Sequence, residues 1–326
     1  MNLANLTSTD IIDGIFNNDI ALVSKAITLI ESTKAEHRTM AKDIVQACIS
    51  NHNTVRIGIT GVPGVGKSTF IEQFGTLLTN LGKKVAVLTV DPSSRITKGS
   101  ILGDKTRMLE LAKNPNAYIR PSASGSTLGG VARKTRESIN VLEAAGYDTI
   151  IIETIGVGQS EIAVHSMVDF FLLLKLAGAG DDLQGIKRGI MEMADLIVIN
   201  KADGNNIKNA ELSKTEFTRA LHMLPPKENG WSAEVLTCSA LENKGLRKIW
   251  QVISTYCTLM KDSGFFAKNR QKQNEQWLVQ YLEQEVLTAF YDNNKTKELL
   301  PELKDEVMNG KTSPFAAAEK LLKLLK

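Results

Sequence analysis

The chain has 326 residues, 43% hydrophobic and 23% charged, enough for one full core with appended helices. Its net charge of +3 comes from interspersed basic and acidic residues, so the sequence offers no concentrated field for nucleic acid or an anionic membrane. Cys48, Cys238 and Cys257 lie too far apart for a disulfide framework or a cysteine zinc site; with no exported leader pattern and no bilayer-length apolar run, the expectation is a cytoplasmic protein.

From Ser8 to about Ser50, apolar residues such as Ile11, Ile12, Ile15, Leu22, Ala26, Leu29, Ile30, Met40, Ile44 and Val45 recur at helical spacing. Between Val55 and about Met260 the pattern changes to short β-branched runs alternating with helical stretches, which predicts a parallel sheet with crossover helices. Those runs are 55–60, 84–90, 148–154, 169–176, 195–200 and 233–239, with AYIR (117–120) as a further short strand. Several lack polar alternation, as strands covered on both faces should. Beyond Lys261, Trp277, Leu278, Tyr281, Leu282, Val286, Leu287 and Phe290 mark one face of a long amphipathic helix, and a last helix is expected over about 314–326. That face can pack on the chain's own core or on a second subunit. The expected division is a helical segment (1–50), a nucleotide-binding α/β domain (51–260) and a helical arm (261–326).

Gly61, Val62, Pro63, Gly64, Val65, Gly66, Lys67 and Ser68 spell a phosphate loop, directly after the run VRIGIT and before a helical stretch reaching about Leu81. Glycines let backbone N–H groups turn inward around phosphates, and the helix N-terminus adds partial positive charge. Lys67 is read as the β/γ-phosphate cation, Ser68 as a hydroxyl donor to Mg²⁺ and Thr69 as within reach of the α-phosphate.

Asn200, Lys201 and Asp203 follow the run DLIVIN, at the carboxyl end of a strand where open α/β sheets bind ligands. The Asp203 carboxylate can accept from guanine N1–H and the exocyclic amine, a donor pair adenine lacks. Lys201 can lie along the base and Asn200 can brace the loop. Ser239, Ala240 and Leu241, at the end of AEVLTCS, resemble the backbone-amide contact to guanine O6 seen across GTPases.

Acids come next. Glu153 ends DTIIIET and precedes Gly156, where a metal-holding acid and a γ-phosphate-sensing glycine amide are expected. Asp91 closes KVAVLTV at the same sheet edge and is a second Mg²⁺ candidate with Ser68 and Glu153; Asp104 lies in the glycine-flanked stretch TKGSILGDKTRM. The segment 178–189 holds four glycines and carries Gln184 and Lys187, which predicts a further switch loop. His37, His52, His165 and His222 are scattered without metal-ligand spacing, and the role of the polar stretch 120–130 stays open.

Taken together, GVPGVGKST, VDPSS, TKGSILGDKTRM, RPSASGSTLGG, ETIGVGQSE, GAGDDLQGIKRGI and NKADG resemble the MeaB, ArgK and MMAA family of GTPases, over about residues 55 to 245. The stretches around Asp104, Gly125, Glu153 and Gly185 are signatures of that family rather than of Ras-like or translational GTPases. The resemblance implies a P-loop α/β fold with a mostly parallel sheet, an N-terminal helical segment and a C-terminal helical arm that joins a homodimer. It further implies a chaperone, cycling between GTP and GDP with Mg²⁺, for an adenosylcobalamin-dependent acyl-CoA mutase of the methylmalonyl-CoA type. The mutase, not this chain, would hold the cobalamin. Carried across by motif, Lys67 and Ser68 bind phosphate and Mg²⁺, Asp91, Asp104 and Glu153 are the acidic switch residues, and Gln184 and Lys187 belong to a loop answering to the mutase. Older descriptions of the family imply a different reading, a kinase acting on a binding protein for lysine, arginine and ornithine transport. A nickel- or cobalt-inserting chaperone of related fold is disfavoured by the missing His-rich and Cys-containing metal motifs.

Overall fold

Seven strands build the sheet of the computed structural model, which describes residues 6–49, 53–90, 108–121, 128–154, 160–177 and 188–325: β1 (Val55–Gly61), β2 (Val85–Val90), β3 (Ala117–Arg120), β4 (Thr149–Thr154), β5 (Phe170–Leu176), β6 (Leu196–Asn200) and β7 (Glu234–Thr237). Their spatial order is β3-β2-β4-β1-β5-β6-β7, and every neighbouring pair runs parallel. Each run found in the sequence is a strand here, and β7 is shorter than 233–239 because Cys238 and Ser239 leave the ladder. β1 lies between β4 and β5, with Ile59 beside Glu153 and Gly61 beside Leu174, so the end of β4 meets the loop that leaves β1.

Alternation of side chains assigns the two faces. Ile150 and Ile152 of β4, with Ala86, Leu88 and Val90 of β2, share one buried cluster with the helix 128–144 and, packed on that helix, α1 (Ser8–Phe16), α2 (Ile20–Glu31) and α3 (Arg38–Ala47), whose Ile11, Ile15, Val23, Ile27 and Ile44 are fully buried. The N-terminal helices are therefore part of the sheet's own core. Thr7 opens α1 with a capping box to Asp10, and the Asp19 carboxylate caps α2, so both helix starts are fixed by local sequence.

On the opposite face, Ile57 and Ile59 of β1 and Ile151 of β4 pack against α4 (Lys67–Asn80), through Phe70, Ile71, Phe74 and Leu78, and against Ile249, Val252 and Ile253 of α10 (Leu246–Asp262). Between these come α5 (Leu109–Lys113), α6 (Leu128–Ala144), α7 (Ser160–His165), α8 (Arg188–Met193) and α9 (Ile207–His222). Removing a fully buried ring such as Phe74 costs about 3–5 kcal/mol by lost transfer energy and cavity formation.

At the amino end of the sheet Arg56 forms paired 2.8 Å bonds with Glu143 of α6, and Arg270 grips Asp169 through Nε and Nη2 at 2.8 and 2.7 Å. Arg270 also donates to Thr54 O at 2.7 Å, which ties the first turns of α11 (Phe265–Asp292) to β1. Burying these charges is tolerated because each is paired and hydrogen-bonded.

The chain divides after Gln271 into two compact units. Within the second, α12 (Asn294–Met308) and α13 (Pro314–Leu322) pack together, with Leu303 and Ala317 buried and Lys320 paired to Glu306 at 3.6 Å. Asn293 and Ser313 cap these helices, and α13 gives way to a 3₁₀ turn at Lys323. The apolar stripe on α11 stays open: Leu278, Leu282, Val286 and Leu287 are each more than half exposed or at that level in the single chain. Among the described residues no helix is long and apolar enough to cross a membrane.

Candidate functional site: a nucleotide cleft at the carboxyl edge of the sheet

The loop from Gly61 to Gly66 joins β1 to α4 and delivers Lys67, Ser68 and Thr69 as the first residues of the helix. Gly64 and Gly66 adopt φ of +81° and +91°, a left-handed backbone that L side chains rarely take. Gly66 carries a second constraint, since a Cβ there would sit 2.9 Å from Nδ2 of Asn200. The sequence needs glycine at this point for conformation and for close approach. Val65 is fully buried and pins the loop to the core, while Pro63 and Gly64 are exposed.

Lys67 Nζ donates to Gly61 O at 2.7 Å and to Val62 O at 3.4 Å, which folds the ammonium back over its own loop. Burial pushes this ammonium below its ordinary value, and the carboxylates of Glu153 and Glu161 push the other way. Glu153, the next-to-last residue of β4, is buried, at 3% exposure, beside the β1 backbone. Next to it, Thr154 Oγ1 donates to Thr60 Oγ1 at 2.9 Å, joining the ends of β4 and β1.

Opposite the phosphate loop stands Asn200, the last residue of β6 and 1% exposed. Its Nδ2 donates to Val65 O at 2.9 Å, while its Oδ1 accepts from Ala240 N at 3.2 Å and from Cys238 Sγ at 3.3 Å. One amide thus joins the phosphate loop to the segment after β7, the bracing expected of it. Lys201 has φ +59°, and Asn206 Nδ2 donates to its carbonyl at 2.8 Å, holding the turn. Asp203 accepts a short hydrogen bond from Ser239 Oγ. A carboxylate has lone pairs enough to hold that hydroxyl and still accept two further N–H groups.

Ser239 exchanges backbone bonds with Lys244 at 3.1 and 3.0 Å, closing 239–244 into a tight loop, and Ser239 Oγ accepts from Glu242 N at 3.1 Å. Leu241 is 78% exposed at its tip. Burial, with Asp203 nearby, pushes the Cys238 thiol up to about 12.

The structure therefore brings together the phosphate loop, Glu153, Asn200, Lys201, Asp203 and Ser239 to Leu241 along one sheet edge. Asp91, Asp104, Gly156, Gln184 and Lys187 lie outside the described residues. One residue absent from the sequence-based set is Glu161 in the first turn of α7, 3% exposed and acting on Lys67. Its signal is an acid set one residue before the apolar run Ile162–Val164, on a helix only six residues long. Among the described residues no group of three or more His, Cys, Asp or Glu is gathered for a metal.

Comparison with known proteins gives a consistent picture. Residues 23–295 match the family model of the methylmalonyl Co-A mutase-associated GTPase MeaB. The chain is 47% identical over 302 residues to the GTPase ArgK of Escherichia coli, covering 92% of this chain and 91% of that protein. It is 44% identical to the mitochondrial methylmalonic aciduria type A homolog of Mus musculus, covering 96% and 78%. A solved structure described as a LAO/AO transport system kinase superposes with a TM-score of 0.76 at 39% identity, over 100% of this chain and 99% of that one.

Proposed function

Because the chain belongs to the MeaB family of methylmalonyl Co-A mutase-associated GTPases and is itself a GTPase, we propose that it is a nucleotide-driven chaperone. In this reading it gates adenosylcobalamin delivery to an acyl-CoA mutase of the methylmalonyl type and protects that mutase. The observation that carries the reading is the match to the mutase-associated family over residues 23–295, joined to a cleft whose two nucleotide loops are bridged by Asn200.

In that cleft Gly61 to Ser68 cradle the phosphates, with Thr69 beside them, and Lys67 leaves the loop carbonyls to meet the β- and γ-phosphates. Asp203 reads guanine by accepting from its N1–H and amine, Lys201 lies along the base, and the backbone of Ser239, Ala240 and Leu241 offers donors to O6. The donor chemistry fits Mg²⁺: the Ser68 hydroxyl and the buried Glu153 carboxylate are hard oxygens, and both would hold it together with Asp91. When bound, Mg²⁺ neutralises charge on the phosphates. Glu153, Asp91 and Asp104 form the acidic switch set, and Gly156, Gln184 and Lys187 the segments that respond to nucleotide and partner.

GTP and GDP states would differ in affinity for the mutase, which is what lets hydrolysis time cofactor loading. The open stripe on α11 supplies a face for a homodimer, and a cytoplasmic setting suits both partners. The test is to recover the native complex with the chain held in its GTP state, then assay the bound fraction for cobalamin and acyl-CoA mutase activity. Their joint enrichment over the GDP state is expected, and equal recovery in both states would refute the gating reading. The kinase name of the solved relative raises the alternative of phosphoryl transfer to a basic amino-acid binding protein; labelled phosphate moving from GTP to such an added protein would favour it.

A further inference from the structure

Helices α4 and α10 pack together and leave between them a groove of about 570 Å³, a volume in the range of small-molecule sites. Neither the phosphate loop nor Asn200, Lys201, Asp203 or Ser239 to Leu241 lines it. Gln73 and Asn80 of α4 form one wall, and Asn243, Arg247, Lys248 and Gln251 form the other. The second wall is set by Gly245, whose φ of +84° turns the chain into α10 and where a Cβ would sit 2.7 Å from Thr237 O. Two cations and no carboxylate line the groove. Neighbouring cations are answered within the protein: Lys244 pairs with Glu242 at 2.5 Å, and Lys83 lies 5.8 Å over the Trp250 ring. Arg247 and Lys248 have no such partner among the described residues, and the side-chain amides of Gln73, Asn80, Asn243 and Gln251 make no hydrogen bond there. A merely solvated helix face explains why Arg247 and Lys248 are exposed but not why they stand where they do. Cations in the first turn of a 17-residue helix oppose its positive pole.

From the groove and its side chains we propose a second ligand site, separate from the nucleotide cleft, that takes a phosphomonoester carrying a polar organic body. A phosphomonoester brings close to two negative charges at neutral pH, which the two unopposed cations match. The Arg247 fork takes two phosphate oxygens through parallel N–H···O bonds, and the Lys248 ammonium, a compact point charge, answers the third. The four amides supply both donors and acceptors, the inventory that hydroxyl groups or the edge of a heterocycle require. A bare inorganic anion would leave those amides and most of the volume unused. The inference is independent of the mutase reading, since none of these residues belongs to the cleft.

The experiment keeps the full-length chain in saturating GDP and Mg²⁺, so that the cleft is filled, and titrates it with adenosine monophosphate, adenosine and inorganic phosphate. Adenosine monophosphate should bind saturably at one site with Kd below about 1 mM, and adenosine and phosphate each at least about ten-fold more weakly. Arg247→Gln combined with Lys248→Gln should lower the affinity for adenosine monophosphate by about ten-fold or more. Both residues are exposed, so the thermal melt of the double variant should match wild type. Absence of saturable binding overturns the proposal, as does adenosine or phosphate binding as tightly as the monophosphate. An affinity unchanged in the double variant overturns it too. Should the double variant fail to fold, backbone amide shifts of the wild-type chain decide: changes at Asn80, Asn243 and Arg247 on adding adenosine monophosphate uphold the site, and changes confined to other residues overturn it.

Discussion

On the side of the cleft assigned to guanine, Asn200 and Asp203 are fixed by hydrogen bonds to Val65, Ala240, Cys238 and Ser239, whereas on the phosphate side Lys67 is balanced between two loop carbonyls and two buried carboxylates. The first set is directional and satisfied within the protein, so it needs no rearrangement to present the Asp203 carboxylate. The second is electrostatic and responds to any new charge. In the proposed reading, base selection is built into the fold, while the phosphate half is where a bound nucleotide changes the protein. Such a division suits the proposed switch, in which the element that selects the ligand stays still and the element that reports its state moves.

The comparison breaks most visibly at Lys67. Lys67→Ala should abolish GTP turnover, by about a thousand-fold or more, while leaving the thermal melt near wild type, because the side chain serves charge rather than packing. Retained turnover in a steady-state phosphate-release assay would refute the assignment. On the other side, Asp203→Asn should weaken GTP by about a hundred-fold and improve xanthosine triphosphate, since exchanging an acceptor for an amide inverts the match to the base. Competition binding with the two nucleotides checks this.

Asn200→Ala removes three hydrogen bonds and leaves Val65 O and Ala240 N without their partner, which should cost about 1–3 kcal/mol in chemical denaturation. Nucleotide affinity should fall as well, by about ten-fold, if the bridge is what aligns the two loops. A loss of stability with affinity intact would show that the loops hold position independently. The smallest effect is expected at Cys238. With its thiol buried, pushed up to about 12 and donating to Asn200, it should resist alkylation at pH 8 in the native state, as should Cys257, also raised to about 12. Rapid labelling of Cys238 would mean that the guanine side opens after all.

The strands were legible because a parallel sheet covered on both faces spells continuous runs such as TIIIET and FFLLLKL, and the glycine and lysine spacing of the phosphate loop needs no tertiary information. The run before Ser239 overshot its strand, since nothing local says that Cys238 turns to meet Asn200. Helix α12 was not placed because Pro301 falls inside it and reads as a breaker, although the capped start at Asn293 carries the helix through. The packing of α1 to α3 on α6 was hidden for another reason: amphipathic spacing says that a face is buried, not against what.

The defining property of the proposed switch is that its nucleotide cycle answers to a mutase. The direct measurement is steady-state GTP hydrolysis by the full-length chain, alone and with an adenosylcobalamin-dependent acyl-CoA mutase of the methylmalonyl type at saturating concentration. Slow basal turnover, stimulated at least about ten-fold by the mutase, is the expected result, because a partner that completes or orders the switch segments lowers the barrier without changing the base site. Turnover identical with and without mutase, under conditions where Lys67→Ala is inactive, would contradict it.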